Sequence, residues 1–299
     1  MSPGAPLDGR VDVPAGCPYD VAPLDGHPDR LPLVVRPRQD RNPAELCKWI
    51  QANKPWLLQQ MQCWGAVLFR GFDIRDAAAF EQLAHTVDPD LKNEYLGTSP
   101  RKALTPYTFT ASELPSFYPI PQHCEMSFTR TPPRKLFFCC LTEPAEGSGE
   151  TPLADFRLVL RDLDPAVAER FRKGGIRIVR NYAGASSSGF LNPFQLKRWD
   201  EIFLTTDREA VEAKCREEGF EPQWKGKDGL RLVSTQDAVQ LHPETGVPVW
   251  HNHVTTFHPS QAVGEYRRIA ALRPTLRNRA VLLLSRVLAL FERKKSGED

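Results

Sequence analysis

The sequence lacks a dominant charge of either sign. Its 39 lysines and arginines nearly balance its 37 aspartates and glutamates, which leaves a formal net charge of +2. A protein that binds nucleic acid or an anionic membrane through its overall field carries a large basic excess, so neither partner is predicted. The first ten residues also lack the apolar core of a signal peptide, and we therefore expect a cytoplasmic protein.

The cysteines lack the spacing of a disulfide framework. They are an odd number, seven, scattered at positions 17, 47, 63, 124, 139, 140 and 215. Reduced thiols in a cytosol-like compartment are the expected state. Cys139 and Cys140 lie in an apolar run, where they are predicted to be small apolar residues of a buried strand.

No hydrophobic run reaches the roughly 20 residues that a membrane-spanning helix needs. The segment from Leu276 to Phe291 predicts a helix with basic residues around it. A basic amphipathic helix can lie on a membrane surface, but an ordinary packed or partner-binding helix is the favoured interpretation. No membrane span is expected, and the sequence does not fix the oligomeric state.

Proline is abundant, with 27 residues, which indicates loops and short strands rather than a helical bundle. The chain is long enough for one large domain or two modest ones, and no internal repeat is apparent. The segment to about Asp40 is expected to be irregular. Caps and apolar periodicity predict helices over 43–52, 77–87, 164–173 and 207–218, while Pro55 is expected either to end the first helix or to open a short new one. Strands are predicted over 66–70, 135–141 and 175–181, turns at 146–149 and 242–246, and extended chain over 247–257.

His123 and Glu125 are the most informative residues, because they place an imidazole and a carboxylate two positions apart. On an extended strand such side chains leave the same face about 7 Å apart. A nitrogen and oxygen donor set of this kind suits a non-haem Fe(II). The alternative is a half-exposed polar strand end. A zinc deaminase would need a Pro-Cys-x-x-Cys segment downstream, and the adjacent Cys139 and Cys140 do not provide it because they face opposite sides of a strand.

Several segments in a shared order extend this motif into a family resemblance. The chain resembles the TauD/TfdA superfamily of Fe(II)- and 2-oxoglutarate-dependent dioxygenases, in the branch that includes clavaminate synthase-like and SyrP-like proteins. The resemblance covers roughly residues 60 to 270. It is carried by Leu68–Phe72, Tyr95–Arg101, His123–Ser127, Gly149–Thr151 with Asp155, Val179–Tyr182 and His242–Asn252.

The resemblance implies an α+β fold whose core is a double-stranded β-helix, or jelly-roll, with flanking helices. It also implies Fe(II), 2-oxoglutarate as co-substrate, and O2, used to hydroxylate an unactivated C–H bond of a small substrate. The domain would cover 41–299 after an irregular segment over 1–40. His123 and Glu125 resemble metal ligands, with no catalytic residue beyond the metal ligands.

Further site residues follow from the same resemblance, each beside a simpler interpretation. Thr151 is similar to the residue that hydrogen-bonds a carboxylate of 2-oxoglutarate, but it also fits a strand after a glycine turn. Asn252 is similar to residues on the substrate side, but an asparagine there also suits a turn. Tyr95 and Arg101 are possible substrate contacts, whereas a loop aromatic and a solvated arginine are the simpler interpretation.

One departure from the family concerns the second metal-binding histidine and the arginine that pairs with 2-oxoglutarate. Neither can be assigned by motif, and the chain is expected to stop before the segment that supplies them. The nearby histidines are His242, His251, His253 and His258. Exposed sheet edges are then expected, with either poor solubility or dependence on a partner. The alternative function is a catalytically incomplete relative, or a fragment, that acts as a binding or interaction module.

Overall fold

The computed structural model describes residues 11–26, 31–97, 99–115, 117–118, 120–145, 149–184, 197–254 and 258–296. Part of the predicted 146–149 turn and the end of the predicted 247–257 extension lie outside these residues. The strands are β1 (Tyr19–Pro23), β2 (Leu33–Pro37), β3 (Val67–Phe69), β4 (Ile176–Tyr182), β5 (Glu221–Lys225), β6 (Gly229–Gln236), β7 (Gln240–Leu241) and β8 (Pro248–Val249). The helices are α1 (Pro43–Ala52), α2 (Lys54–Trp64), α3 (Ala77–Val87), α4 (Phe156–Asp162), α5 (Pro165–Gly174), α6 (Trp199–Phe203), α7 (Arg208–Glu218), α8 (Pro259–Leu272) and α9 (Leu276–Ser296).

The first sheet shows that the opening segment is not irregular throughout, as the sequence analysis expected. β1 pairs with β2 antiparallel, and β2 pairs with β3 in parallel. Leu33, Val34 and Val35 are completely buried in β2. Such a continuous apolar run is typical of a strand covered on both faces. Pro32 precedes this strand and Pro37 ends it, so the short apolar run between them looked like part of a proline-rich loop in the sequence.

Helices α1 to α3 cover this sheet region, which confirms the helices predicted over 43–52 and 77–87 and decides that Pro55 lies at the start of a new helix. Asn42 caps α1 by accepting from the Ala44 N–H, and Pro43 occupies the first turn, where its missing N–H costs nothing. Asp76 caps α3 by accepting from the Ala79 N–H at 2.8 Å. The second helix begins at Lys54, one residue before Pro55. Their apolar faces and β2 form one hydrophobic cluster.

The second sheet has the order β4, β6, β5 and lies in a separate hydrophobic cluster. Alternate residues of β4 are buried, as its period-two pattern predicts. The predicted helices over 164–173 and 207–218 are confirmed as α5 and α7, each capped by an aspartate. The sequence analysis missed the β5–β6 hairpin, although Asp228-Gly229 beside β6 is a hairpin signal.

The predicted strand over 135–141 is wrong. The chain there keeps a strand-like alternation, with Phe137 half-buried and Phe138 exposed, yet it is not assigned as a strand. A strand needs a hydrogen-bonded neighbour, and the strand pairs of the described residues do not include this segment. Cys139 is therefore only half-buried and Cys140 is exposed, which also corrects their interpretation as buried strand residues.

The mixture of helices and small sheets agrees with the α+β class. The described parts of the chain form two three-stranded sheets and the β7–β8 pair, without a closed barrel, so the jelly-roll core stays a prediction. The last predicted helix is confirmed as α9, which packs against α8. In the described residues, no helix is long and apolar enough to cross a membrane.

Candidate metal and substrate site

Neither His123 nor Glu125 lies on the predicted strand, since Glu125 begins a turn and His123 lies in the irregular chain directly before it. Residues 125–128 form the turn, and Met126 adopts a left-handed conformation with φ of 49°. The Thr129 N–H closes the turn by donating to the Met126 carbonyl at 2.9 Å. Nε2 of His123 lies 3.9 Å from Oε2 of Glu125. The two predicted metal donors are therefore neighbours, although the local structure differs from the expectation.

The tautomer of His123 follows from its hydrogen bond. Its Nδ1 lies 2.8 Å from the carbonyl oxygen of Pro121. A carbonyl can only accept, so Nδ1 carries the proton of the neutral ring and the Nε2 lone pair remains. This lone pair is on the nitrogen nearest Glu125. Metal-binding histidines commonly donate their other N–H to a backbone carbonyl in this way.

His253 is the one among the four remaining histidine candidates whose ring lies against His123. The two ring centroids are 5.3 Å apart, and Nδ1 of His253 is 2.8 Å from Oγ of Ser127. The ring also has a hydrogen bond to the Cys124 backbone, and its edge meets Phe128. Burial, followed by the nearby His123, lowers the pKa of His253 to about 4. This histidine is therefore neutral and ties the 250–254 segment to the turn.

The other three histidines have different surroundings. His242 accepts hydrogen bonds from the Glu244 and Thr245 amides within its own turn. His251 is half-buried, and burial lowers its pKa. His258 is the exposed N-cap of α8. Within the described ranges, no group of three or more His, Cys, Asp and Glu side chains is placed to hold a metal ion.

Arg101 and Tyr95 lie on a loop that packs beside Glu125, one of the two predicted metal ligands. Nη2 of Arg101 donates to Oε2 of Glu125 at 3.0 Å, and the guanidinium lies 4.1 Å from the centre of the Tyr95 ring. The Tyr95 ring lies so close to Gly97 that a Cβ at that position would overlap the ring. Both residues are half-buried, so they line an accessible surface beside Glu125. Their proposed contact with substrate stays a prediction.

Asn252 and Thr151 differ in how the structure uses them. Asn252 is buried; its Nδ2 donates to the Ala238 carbonyl at 3.0 Å and its Oδ1 accepts from the Val254 N–H. These bonds fit the interpretation as a turn-forming asparagine. Thr151 is exposed in the irregular chain that leads to α4. Cys124, between the two predicted ligands, is half-buried, and burial raises the pKa of its thiol to about 11.

Sequence reasoning missed Arg180, a buried cation behind the turn. Its guanidinium contacts two rings, 4.0 Å from the centre of Phe128 and 4.6 Å from the centre of Phe220. Its Nη1 donates to the Leu96 carbonyl, beside Tyr95. Burial lowers the pKa of Arg180. It therefore connects the loop of Tyr95 to the turn that follows His123. The alternating pattern of β4 does not reveal this role.

Comparison with known proteins identifies a family for this arrangement. The family model "Taurine catabolism dioxygenase TauD, TfdA family" matches residues 21–284. The chain is 31% identical to "Dapdiamide synthesis protein DdaC" of Enterobacter agglomerans over 240 residues, which are 80% of this chain and 68% of that protein. It is 30% identical to "Clavaminate synthase-like protein At3g21360" of Arabidopsis thaliana over 207 residues, which are 68% of this chain and 62% of that protein. The chain thus spans about two thirds of the relatives that it matches.

Proposed function

The chain belongs to the TauD/TfdA family of dioxygenases, and from that premise we propose that it is a non-haem Fe(II)- and 2-oxoglutarate-dependent enzyme. The proposed reaction is hydroxylation of an unactivated C–H bond in a small substrate. The single observation that carries the proposal is the approach of His123 and Glu125, 3.9 Å apart between Nε2 and Oε2.

The donor pair fits such an ion. Two ligands that each lie about 2.1 Å from one ion are at most about 4.2 Å apart, and the observed separation lies within that limit. Imidazole nitrogen and carboxylate oxygen are donors that non-haem Fe(II) accepts. The hydrogen bond to Pro121 holds the His123 ring in the tautomer that can ligate.

The bound iron and 2-oxoglutarate would supply the oxidation of the C–H bond, which no amino-acid side chain can perform. The chain's own residues hold and orient the centre. His123 and Glu125 would bind the metal, and Glu125 would exchange its ion pair with Arg101 for that bond. Ser127 and His253 fix the turn from behind, and the jelly-roll core implied by the family would surround it.

A second candidate is the binding or interaction module. It is favoured by the ion pair between Arg101 and Glu125, which satisfies the carboxylate without any metal. The described residues also supply two metal donors at this position, and they contain no group of three or more His, Cys, Asp and Glu side chains that could hold a metal ion. Such a module would keep the family scaffold without turnover.

An anaerobic titration with Fe(II) and 2-oxoglutarate separates the two candidates. The chelated keto acid produces a visible charge-transfer band, which we expect for the wild-type chain. The band should vanish in His123→Ala and persist in His85→Ala, whose half-buried ring contacts Tyr107 on another part of the surface. Circular dichroism of each variant establishes that it is folded.

The outcomes assign the function directly. A band that depends on His123 supports the dioxygenase, and succinate formation on admitting O2 would show turnover. No band with the folded wild-type chain refutes the proposal for this chain and leaves the binding module. A band that His123→Ala retains would place the metal elsewhere and overturn the assigned ligands.

A further inference from the structure

Two cations of the site lie beside the same aromatic ring, that of Tyr95. The Arg101 guanidinium lies 4.1 Å from the centre of the Tyr95 ring, and Nζ of Lys197 lies 5.5 Å from the same centre. Lys197 stands far from Arg101 in sequence, just before α6, so only the tertiary structure brings the two together. Both side chains are half-buried and remain accessible to a small molecule.

Two carboxylates lie near these cations, and each has a second partner or a second predicted role. Glu125 is the acid that contacts Arg101, and it is also the predicted metal ligand. Glu201 is the acid whose charge acts on Lys197, but it accepts a hydrogen bond from the Arg198 backbone and lies 3.8 Å from the Arg198 side chain. Among the described residues, Glu125 neutralises at most one of the two cations, so a net positive charge remains in the metal-free chain and would increase once Glu125 binds a metal.

Hydrogen-bonding capacity at this position is also unused. Nε of Arg101 is buried and has no hydrogen-bond partner in the described part of the chain. Burial lowers the pKa of Lys197, and the charge of Arg101 lowers it further, so the two cations repel each other in this arrangement. An anion between them would relieve the repulsion and accept charge-assisted hydrogen bonds from both cations.

We propose that Arg101 and Lys197, both beside the Tyr95 ring, anchor an anionic group of the substrate, a carboxylate or a similar oxyanion. The inference rests on the proposed function, because it takes His123 and Glu125 as the place where the substrate reacts. The arginine offers a planar pair of donors, and the lysine offers a compact charge. Neutral molecules of the same shape lack this anchor and are poorer substrates.

Binding of a matched pair of probes to the metal-free chain tests the anchor independently of the iron chemistry. Phenylacetate and phenylacetamide have nearly the same shape and differ in charge. Ligand-observed NMR titration should give about tenfold tighter binding of the carboxylate than of the amide, the size expected of one charge-assisted contact. Lys197→Gln should remove most of this preference, and Lys197→Arg should retain it. Lys227→Gln, an exposed lysine in the β5–β6 turn, is the matched control.

A second arm distinguishes the substrate from 2-oxoglutarate, which is itself a dicarboxylate. Saturating 2-oxoglutarate, with Fe(II) under anaerobic conditions, should leave phenylacetate bound. Displacement of phenylacetate by 2-oxoglutarate would overturn the assignment to the substrate. Equal binding of both probes, or a preference unchanged in Lys197→Gln, would overturn the anchor itself. These results do not depend on the charge-transfer band in the metal-free arm, so failure of the anchor and failure of the dioxygenase proposal are distinguishable.

Discussion

Ser127 and His253 are 126 residues apart in the chain, yet Oγ of the serine lies 2.8 Å from Nδ1 of the histidine. Both residues are buried. The bond joins the turn that begins at Glu125, directly after His123, to the segment after β8. It therefore fixes the position of the two predicted metal ligands relative to the second half of the chain.

Removing this bond should weaken the fold and the site together. Ser127→Ala leaves a buried histidine nitrogen without that hydrogen bond, which costs about 1–3 kcal/mol of unfolding free energy. Urea denaturation measures the loss. The control is Ser285→Ala on α9, where the serine hydroxyl donates to the Leu282 carbonyl of its own helix and alanine is a good helix former. Equal stability of Ser127→Ala and wild type would contradict the proposed role.

The pH dependence of stability follows from the lowered pKa of His253. Its folded value is about 4, against an ordinary value of 6.5. Between these values the unfolded chain binds more protons than the folded chain, so stability rises with pH. The metal-free chain should therefore be fully stabilised above about pH 6.5 and lose up to about 3 kcal/mol as the pH falls to about 4.

Denaturation midpoints across this pH range check the effect. His253→Gln should flatten the slope, and His85→Gln should leave it intact, since His85 lies on α3. His251 contributes in the same direction because burial lowers its pKa as well. A slope unchanged in His253→Gln would assign the titration to other groups.

The ion pair between Arg101 and Glu125 should oppose metal binding. Arg101→Met frees the carboxylate and removes a positive charge from beside the cation. We expect the first Fe(II) or Co(II) ion to bind about tenfold more tightly, a change of the size that one charge produces at partly exposed positions. Isothermal titration calorimetry measures the affinity. Arg38→Met, which breaks the exposed pair with Asp20, should have no such effect. Weaker metal binding by Arg101→Met would show that the arginine supports the site.

Gly97 should be essential for the position of Tyr95. An added Cβ in Gly97→Ala would overlap the ring, so the ring must move away from Arg101. Because the overlapping atoms belong to the outer end of the tyrosine side chain, we expect a stability cost of only about 1 kcal/mol with a several-fold loss of phenylacetate binding. Gly264→Ala on α8 is the control, since its Cβ would meet nothing within 4 Å. Unchanged phenylacetate binding by Gly97→Ala would mean that Tyr95 does not shape the anchor.

The α9 surface should promote association. Leu283 and Leu284 are more than half exposed on this helix, and clusters of exposed leucine favour contact between molecules. Light scattering should show the apparent mass rising with concentration. Leu284→Lys should reduce the rise, whereas Asn278→Lys on the same helix should not. A monodisperse monomer at all concentrations would show that the sequence-based prediction of poor solubility is wrong.

Local patterns predicted the helices best. Asn42, Asp76 and Asp164 each accept backbone N–H groups at the start of a predicted helix, because capping is an interaction within a few residues. The run Leu33-Val34-Val35 carried an equally clear strand signal, which the surrounding prolines obscured. Residues 135–141 show the opposite error, since their apolar pattern suits a strand but the described part of the chain pairs no neighbour with them.

The sequence by itself determined the donor types at 123 and 125, the capped starts of α1, α3, α5 and α7, and the family resemblance, because each depends on residue identity and short spacing. Only the tertiary structure decided that Ser127 meets His253, that Arg101 engages Glu125, and that Lys197 reaches the Tyr95 ring. These contacts join distant segments through packing of the whole chain. No local pattern encodes them, since the same side chains at the same spacing would be solvated if the two hydrophobic clusters packed differently.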